Sequence, residues 1–599
     1  MGAHTTADPA STQSLSSTRR LVLQRLKPSG RTAAALAIAV LATTALPLLG
    51  PQFTREFVDG AIAGEPTSAL LVIASGYLMV AVLGQAARLL TAWLASRSAW
   101  DGTNRLREDL AEHALDLDMD YHGQHTPGEM IERVDGDVVA LSDFMVALLL
   151  DVIVSLLLLA GVIVIVFSVD WRIGAVLFVY CGLVGLAMVR MQKLVIPAAT
   201  RMREMYARMF GVIEERLAGA EDIRANGAGR HSVNRLHRAS ADVYAADLKE
   251  NKLGAAVYGG TTVAFGAGTA IVLALAAWAQ RSGTLTLGTA VLLFQYTQMV
   301  RTPFERLIDQ LEQYRKAVAG MVRIGQLLGE RRTLTEPDDP VSLPATGPLS
   351  LELDDVDFAY ADDNKPVLAD INIRLEPGES LGLVGRTGSG KTTVARLALR
   401  LYDPTGGAVR LGRIDVRRLR LDAIRHRTSV VTQDVQLFAA SVRDNLTLFG
   451  TLGSRDDVRL RDTLDQVGLG AWLEQLPDGL DSMLGSQGAG MSAGEGQLLA
   501  FARAFLTDPG LVVLDEASSR LDPATELVIE EAIGNLLADR TAVLIAHRLS
   551  SLRRVDKIAV IHDGRVVEYG RRAELAADPH SHFAGLLAAA GITASGVTP

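Results

Sequence analysis

Apolar residues are concentrated in the first half of the chain, where they form long runs. The runs cover residues 32–53, 68–94, 145–169, 173–195, 254–280 and 285–305. Each is near or above the ~20 residues that a helix needs to cross ~30 Å of hydrocarbon. Runs such as VIVSLLLLAGVIVIVFSV are too long and too evenly apolar for buried helices of a soluble protein. The pattern predicts six membrane-spanning helices, so both ends of the chain lie on one side of the membrane.

Basic residues indicate which side that is. They precede the first run and recur in the long connections after the second and fourth runs, whereas the other three connections are short and poor in basic residues. Because lysine and arginine are enriched in cytoplasmic connections, we expect both termini and the two long connections to face the cytoplasm. The long connections are charged and rich in helix-forming residues, so the helices are expected to continue beyond the membrane. Breaks are predicted at Thr126-Pro127-Gly128 and around the glycines of LAGAEDIRANGAG.

The second half of the chain has a different pattern. Four prolines in residues 333–349 mark a linker. Beyond it, the segments LSLELDDVDFAY, ESLGLVGR, TSVVTQ, LVVLDEA and TAVLIAHR read as strands that alternate with helical stretches. This alternation predicts an α/β domain with a largely parallel core. The predicted organisation is a flexible tail (1–18), a membrane domain (19–332), the linker (333–349), the α/β domain (350–590) and a C-terminal tail (591–599).

Composition and charge exclude several classes of protein. Hydrophobic residues make up 49% of the chain and charged residues 21%, which supports a membrane portion. The net charge of −9 provides no general attraction for nucleic acid, so no nucleic-acid partner is expected. Cys181 is the single cysteine, which rules out an intrachain disulfide and a thiolate-rich metal site. Residues 1–18 have no apolar core and do not resemble a signal peptide.

The segment GRTGSGKTT follows the apolar strand SLGLV and precedes a helical stretch. It fits the pattern G-x-x-x-x-G-K-[ST] of a loop whose backbone N–H groups surround phosphate oxygens at a helix N-terminus. Lys391 is expected to reach the β- and γ-phosphates, and the Thr392 hydroxyl to bind Mg²⁺. The predicted nucleotide-binding residues of this loop are Gly385, Arg386, Thr387, Gly388, Ser389, Gly390, Lys391, Thr392 and Thr393.

A second signal is LVVLDEAS, at residues 511–518, in which a buried strand ends in two carboxylates. Asp515 is expected to hold Mg²⁺ through water, and Glu516 to orient or deprotonate the attacking water. An acidic pair after a strand is a weak signal by itself. Its position after the phosphate loop, in the right order, makes it a strong one.

Five further segments accompany these two motifs: FAY (358–360), VTQD (431–434), MSAGEGQLLAFARAF (491–505), SRLD (519–522) and IAHR (545–548). The set and its order resemble the ATP-binding cassette of ABC transporters. With six membrane spans ahead of it, the chain resembles a half-transporter of the ABC exporter type over about residues 18–590. The resemblance implies a membrane all-α six-helix domain with long cytoplasmic helix extensions, followed by an α/β P-loop NTPase domain that binds ATP and Mg²⁺.

The resemblance also assigns roles to single residues. Tyr360 would stack on adenine. Gln433 would sense the γ-phosphate and Mg²⁺ and couple the cassette to the membrane domain. His547 would contact the γ-phosphate as a switch. The segments YHGQHTPGEMIERVDGDV and GAEDIRANGAG are similar to the family's two cytoplasmic loops, which dock onto cassettes as coupling helices.

Other family positions lie where two cassettes meet. Ser492 and Gly494 would contact the γ-phosphate of ATP held by the opposite cassette, and Asp522 would lie at the dimer seam. The chain departs from the usual signature L-S-G-G-Q here. Ala493 adds a Cβ where a backbone must approach phosphate closely, and Glu495 adds a negative charge near the γ-phosphate.

A chain with intact phosphate-binding motifs and a degenerate signature fits a heterodimer. Its own loop and Glu516 would complete a strong ATP site with the good signature of a second half-transporter. Its weak signature would form a poorly hydrolysing site with the partner's loop. A homodimer that tolerates the variant signature is the alternative.

The predicted function is ATP-driven transport, most simply export, by alternating access. One alternative is an importer with the exporter fold, such as a siderophore uptake subunit, because the motifs do not encode direction. A second is an ATP-gated channel or regulator, against which the intact Glu516 and His547 argue. A soluble DNA-repair-type ATPase fails on the six spans.

The substrate is less well defined by the sequence. Gln295, Tyr296, Thr297 and Gln298 in the last span are either cavity-lining or, as we favour, hydrogen-bonded between helices. Arg88 and Asp151 lie at the ends of apolar runs and are expected at the interface, not on substrate. The pattern favours an amphipathic or apolar cargo such as a drug, lipid, peptide or siderophore. Ala- and Arg-rich usage indicates a multi-pass protein of a bacterial inner membrane.

Overall fold

A computed structural model describes residues 29–283, 285–361, 365–450, 456–485, 491–515, 523–546 and 549–590. The chain divides into two compact units. The first contains the described residues up to Leu115 together with Pro127–Glu330. The second contains Asp116–Thr126 and the described residues from Arg331 onward. The division at Glu330 falls next to the predicted boundary at 332, but the sequence did not predict that residues 116–126 belong to the second unit.

Long helices make up the first half of the chain. The described helices are α1 (Gly30–Ala63), α2 (Thr67–Asp116), α3 (Met119–Gln124), α4 (Pro127–Val169), α5 (Trp171–Ala218), α6 (Ala220–Ala225), α7 (Gly229–Arg281), α8 (Leu287–Met299) and α9 (Arg301–Gly329). Helices α2, α5 and α7 have 50, 48 and 53 residues, so they run far beyond a membrane thickness. The predicted helical extensions are therefore confirmed.

Five of these helices, α1, α2, α4, α5 and α7, are long and apolar enough to cross a membrane within the described part of the chain. The sixth predicted span, 285–305, is instead divided at Val300 between α8 and α9. Pro303 explains the break, because it has no N–H to donate to the carbonyl of Met299 and its ring crowds that carbonyl. The predicted breaks at Pro127 and around Gly219 and Gly227 are present as helix ends.

The second unit contains two sheets. The strands are β1 (Leu351–Phe358), β2 (Leu368–Leu375), β3 (Ser380–Val384), β4 (Gly406–Leu411), β5 (Ile414–Asp415), β6 (Thr428–Val431), β7 (Leu511–Asp515), β8 (Thr541–Ile545), β9 (Lys557–His562) and β10 (Arg565–Arg571). One sheet has the order β2-β1-β4-β5 and is antiparallel. The other has the order β10-β9-β3-β8-β7-β6, and all of its neighbours are parallel except β10 and β9. The predicted parallel core is confirmed.

Helices cover the sheets of this unit. They are α10 (Lys391–Ala398), α11 (Leu421–Arg427), α12 (Val442–Thr447), α13 (Asp457–Gln466), α14 (Gly470–Gln475), α15 (Ala493–Thr507), α16 (Pro523–Leu537), α17 (Arg572–Ala577) and α18 (His582–Ala589). Alternate residues of the parallel strands enter different cores. In β7, Val513 packs in the core shared with the antiparallel sheet, whereas Val512 and Leu514 pack in the core shared with α13, α15 and α16. The parallel sheet is therefore buried on both faces, which explains its continuous apolar strands.

Candidate nucleotide site

The carboxyl ends of the parallel strands meet at one edge of the sheet. Residue Val431 of β6 pairs with Leu514 of β7, and Asp515 pairs with Ile545 of β8. The phosphate loop follows β3 at this same edge, and Gln433 follows β6 after one intervening residue. Ligands of open α/β sheets bind outside the carboxyl ends of the strands. The topology therefore brings the phosphate loop, Asp515 and Gln433 to one edge.

Glycines shape the phosphate loop. Gly388 and Gly390 have φ values of 82° and 105°, which L-residues with side chains rarely adopt. A Cβ on Gly390 would also lie 2.5 Å from Cδ2 of Leu368 on β2. The loop then turns directly into α10, whose first residue is Lys391. The backbone N–H groups of this helix start are the donors that phosphate oxygens use.

Lys391 and Thr392 are positioned for nucleotide chemistry. The buried Lys391 donates from Nζ to the carbonyls of Gly385 at 2.7 Å and Arg386 at 3.0 Å, so its charge lies inside the loop. The Thr392 hydroxyl donates to the Asp515 carboxylate at 3.4 Å. Thr392 and Asp515, two of the three predicted magnesium ligands, are thus adjacent, and the third is Gln433.

These oxygen ligands fit Mg²⁺, which protein sites commonly hold with one or two carboxylates together with substrate phosphates. Among the described residues no group of three or more His, Cys, Asp or Glu side chains is arranged for a metal. The buried Ser389 Oγ has no hydrogen-bond partner in the described part of the chain, which leaves one polar atom of the loop available to a ligand.

Tyr360 lies beside the start of α10. Its hydroxyl is 3.1 Å from the Thr393 hydroxyl and accepts a hydrogen bond from Arg396 at 3.1 Å. Its ring packs edge-on against Phe358 and Tyr402. The predicted adenine-stacking residue is therefore held near the phosphate loop, and Arg396 is a neighbour that sequence reasoning missed. Arg396 follows Thr393 by three residues and so lies on the same face of α10. This spacing is the sequence signal that could have identified Arg396 as a neighbour of the site.

The remaining predicted catalytic residues are less fully defined by the structure. The Gln433 side chain is exposed and makes no hydrogen bond within the described ranges of the chain. Glu516, Asp522 and His547 lie outside the described residues. Their roles remain those predicted from the sequence.

The signature segment forms the start of α15. Ser492 is the N-cap, and its hydroxyl accepts a hydrogen bond from the Glu495 N–H at 3.2 Å. The Glu495 carboxylate in turn accepts from the Ser492 N–H at 2.7 Å, which completes a capping box. Ser492 is exposed and Gly494 is buried. Where the structure describes both segments, no hydrogen bond or ion pair joins Ser492 or Gly494 to the phosphate loop.

Arg503 is a further residue that the sequence did not single out. From α15 it donates to the carbonyls of Asn445 at 2.8 Å and Gln436 at 3.1 Å. Asn445 is fully buried and donates to the Phe438 carbonyl at 2.9 Å. Burial lowers the pKa of Arg503 to about 10, so the guanidinium is still charged at neutral pH. A lone arginine within the apolar run FARAF was the available signal.

The first predicted coupling segment, residues 121–138, begins within α3, and its part up to Thr126 belongs to the second unit whereas the rest belongs to the first. Asp118, which precedes α3, accepts hydrogen bonds from the Thr333 hydroxyl at 2.9 Å and the Leu334 N–H at 3.0 Å, and it also bonds the Thr333 N–H. Asp116 forms an ion pair with Arg332. Burial raises the pKa of Tyr402, and the negative charge of Asp120 adds to the effect. Helix α3 is therefore attached to the predicted linker and lies close to the tyrosine that packs on Tyr360.

The polar residues of the last predicted span bond within the protein. Tyr296 is fully buried and donates to the Leu48 carbonyl of α1 at 2.6 Å. Gln295 donates to the Thr54 hydroxyl at 3.4 Å, and Thr297 donates to a carbonyl of its own helix. For Gln295 and Tyr296 the prediction of hydrogen bonds between helices is confirmed.

Comparison with known proteins identifies the family. Residues 34–304 match the family described as ABC transporter transmembrane region, and residues 368–519 match the family described as ABC transporter. The chain belongs to the ABC transporters, with a membrane domain fused to an ATP-binding cassette.

Individual relatives agree with this assignment. The chain is 33% identical over 558 residues to a multidrug efflux ATP-binding/permease protein of Mycobacterium bovis, covering 90% of this chain and 44% of that protein. It therefore spans less than half the length of that relative. It is 28% identical to an ATP-dependent lipid A-core flippase of Chromobacterium violaceum, covering 90% of this chain and 91% of the flippase.

A solved structure, a bacterial Atm1-family ABC exporter with ATP bound, shares the fold. The TM-score is 0.76, and the sequence identity is 22% over 94% of this chain and 98% of that one. This similarity establishes the predicted fold class for both halves of the chain.

Proposed function

We propose that this chain is one half of an ATP-driven exporter that moves a small amphipathic or apolar solute across a bacterial inner membrane. The observation that carries the proposal is the presence, in one chain, of membrane-length helices and a phosphate loop whose Thr392 contacts Asp515. The names of the relatives, a multidrug efflux protein and a lipid flippase, support outward transport of amphipathic compounds over the uptake alternative.

Each residue of the site has a role in this proposal. Tyr360 stacks on the adenine, and the loop amides with Lys391 bind the phosphates. Thr392, Asp515 and Gln433 hold Mg²⁺, which neutralises charge on the β- and γ-phosphates when bound. Glu516 orients or deprotonates the attacking water, and His547 contacts the γ-phosphate.

Coupling to the membrane helices follows from the position of α3. This helix is covalently continuous with α2 and α4, and Asp118 binds it to residues 333 and 334. Movement of the cassette unit would therefore pull on the ends of two membrane helices. Helix α6 is proposed to act similarly. Closure of two cassettes on ATP would turn the cavity outward, and hydrolysis would reset it.

The signature segment, residues 491–495, is proposed to act on ATP bound by a second cassette, so it requires a partner chain. Ser492 and Gly494 are proposed to face ATP held by the opposite cassette. In this chain the Glu495 carboxylate already accepts a hydrogen bond at the start of α15, where a γ-phosphate would have to bind. A fixed negative charge there repels the phosphate. The partner is therefore proposed to be a different half-transporter that has an intact signature.

The orientation in the membrane is also a proposal. Eight arginines lie between residues 201 and 238, in the second of the two long connections. Exposed Trp171 and Trp278 lie beside the short connections, where amphipathic rings favour a membrane–water interface. We therefore place the cassette and both termini in the cytoplasm.

The first test is the ATPase activity of the purified chain, alone and with the product of the adjacent gene. The heterodimer predicts little activity for the chain alone and strong activity for the pair. The pair carrying Glu516→Gln should lose at least about 100-fold in rate, since a general base contributes about that much. Strong Glu516-dependent activity of the chain alone would establish a homodimer instead. Inactivity of both preparations would contradict the proposed function itself.

A further inference from the structure

Two adjoining cavities lie in the membrane unit and share part of their walls. One has a volume of about 170 Å³ and the other about 250 Å³. Both are lined by Thr43, Pro47 and Arg88. The smaller cavity adds the polar residues Ser155, Thr302 and Arg306, together with apolar residues of α4 such as Leu158. Each cavity is smaller than the ~300–1,000 Å³ of a typical ligand pocket, so it suits a headgroup better than a whole ligand.

Arg88 lines both cavities from α2, within the predicted span 68–94. Thr91, one turn further along α2, is fully buried and its hydroxyl is 2.8 Å from that of Thr43 on α1. Arg88 therefore lies one helical turn from a contact between α1 and α2 and well away from the ends of α2. Its guanidinium forms no hydrogen bond or ion pair with the residues that the structure describes. An unpaired charge at that depth must face a cavity, water or a ligand and not lipid.

Helix α2, which carries Arg88, is little covered by the rest of the chain. Only 6% of its most apolar window is buried inside the chain, against 22–33% for the other four membrane-length helices. Much of its surface is therefore free to face a transport pathway.

The second arginine of the cavity is held by neighbouring acids and amides. Arg306 lies 3.6 Å from Asp151, which also accepts a hydrogen bond from Gln310 at 3.2 Å. The nearby Glu305 is paired with Arg301 at 2.7 Å. No carboxylate lines either cavity, whereas two guanidinium groups line the smaller one. Among the described lining residues, Arg88 is therefore the cation without an acidic partner, and several hydroxyl groups surround it.

We propose that this pair of cavities binds the anionic headgroup of an amphipathic cargo. This inference rests on the proposed transport function and specifies its substrate class. Arg88 would pair with a carboxylate or phosphate ester, because a guanidinium fits two oxygens of such groups. The hydroxyls of Thr43, Ser155 and Thr302 would supply further hydrogen bonds. The apolar tail would lie along the aliphatic residues of the walls.

Competitive binding tests the headgroup directly. The full transporter is placed in phosphatidylcholine nanodiscs with a dodecanoate probe that carries a fluorophore at its tail end. Dodecanoate and dodecyl phosphate should displace the probe, whereas dodecanol and dodecyltrimethylammonium should need at least about tenfold more, since charge-assisted hydrogen bonds are lost. Equal displacement by dodecanol would overturn the proposal. Displacement by inorganic phosphate at the same concentration would show a site for free anions and would overturn the cargo assignment.

Substitutions test whether Arg88 itself binds the anionic headgroup. Arg88→Gln should weaken dodecanoate binding about tenfold, and Arg88→Lys, which keeps the charge but not the planar fork, by a smaller factor. The control is Arg97→Gln in the same helix, because Arg97 stacks on Trp93 and lines neither cavity. Equal losses in the Arg88→Gln and Arg97→Gln proteins would contradict the assignment.

The two proposals fail in distinguishable ways. The binding measurement does not need ATP hydrolysis, so it decides the headgroup question even in an inactive preparation. A transporter that hydrolyses ATP but binds acid and alcohol equally would retain the proposed function and lose only this inference. Thermal unfolding of each variant excludes a general loss of folding as the cause of weak binding.

Discussion

The side chain of Glu495 has two effects that can be separated by substitution. Its carboxylate accepts the Ser492 N–H and so stabilises the start of α15, and its charge occupies the place that a phosphate would approach. A glutamine can keep the reciprocal hydrogen bond of a capping box but has no charge. An alanine removes both.

We expect Glu495→Gln to raise the ATPase rate of the assembled transporter several-fold at nearly unchanged thermal stability. At this exposed position, removing one like charge about 4 Å away in a water-like dielectric is worth about 1 kcal/mol, or roughly fivefold. Glu495→Ala should also relieve the repulsion, but should lower stability by about 0.5–1 kcal/mol because the cap is lost. Steady-state ATPase assays and thermal unfolding measure the two effects. An unchanged or lower rate in the Glu495→Gln protein would show that the charge does not weaken this site.

At the residue scale, the sequence was informative where chemistry depends on local spacing. The loop glycines, Lys391 and Thr392 could be predicted because a phosphate loop is encoded in nine consecutive positions. Ser492 and Glu495 also have the spacing of a capping box, and this signal was not used. The neighbours of Arg88 could not be predicted, because the contact between Thr91 and Thr43 joins distant parts of the chain.

At the scale of elements, Arg503 joins the signature helix to the segment that follows β6. It binds the carbonyls of Gln436 and Asn445, and Asn445 holds the turn at Phe438. The C-terminal half of α15 and residues 436–445 are therefore parts of one hydrogen-bonded network. The network would hold α15 against the segment that follows Gln433.

We expect Arg503→Met to lower the free energy of unfolding by about 2–4 kcal/mol, because it removes a charged donor and takes this partner from the carbonyl of the buried Asn445. Arg459→Met is the matched control, since Arg459 donates to one carbonyl, that of Leu506, from α13. It should cost about 1 kcal/mol. Thermal unfolding of the purified full-length variants measures both. Equal effects of the two substitutions would show that the network around Asn445 is not the cause.

Periodicity predicted the parallel strands well and the antiparallel ones poorly. Strands β3, β7 and β8 are buried on both faces, so their continuous apolar runs are distinctive. Strands β2 and β10 mix polar and apolar residues and resemble loops or helix ends in composition. The break at Val300 follows from Pro303, a signal present in the sequence but outweighed there by the apolar run around it.

At the scale of the whole molecule, the assignment of residues 116–126 to the second unit could not be predicted from local sequence. The segment resembles other polar connections in composition, and its place is decided by Asp118 and Asp116 contacting residues 332–334. Those partners are more than 200 positions away along the chain. Contacts at such separation are tertiary, and hydrophobic periodicity contains no information about them.

The orientation of the chain can be tested with single cysteines, because Cys181 is the only native one and is buried. In a Cys181→Ala background, Ser282→Cys places a thiol in the short connection after α7, and Asn226→Cys places one in the long connection between α6 and α7. Both positions are exposed. We expect a membrane-impermeant maleimide to label Ser282→Cys in spheroplasts and to leave Asn226→Cys unlabelled, because the arginine-rich connection stays in the cytoplasm.

Lysis before labelling is the control, and both cysteines should then react equally. The reverse pattern in spheroplasts would put the ATP-binding cassette outside the cell, where no ATP supply supports its function. Labelling of both positions in sealed spheroplasts would mean that α7 does not cross the membrane. Since α7 has 53 residues, of which a membrane requires about 20, the expected pattern also fixes which end of this helix lies in the bilayer.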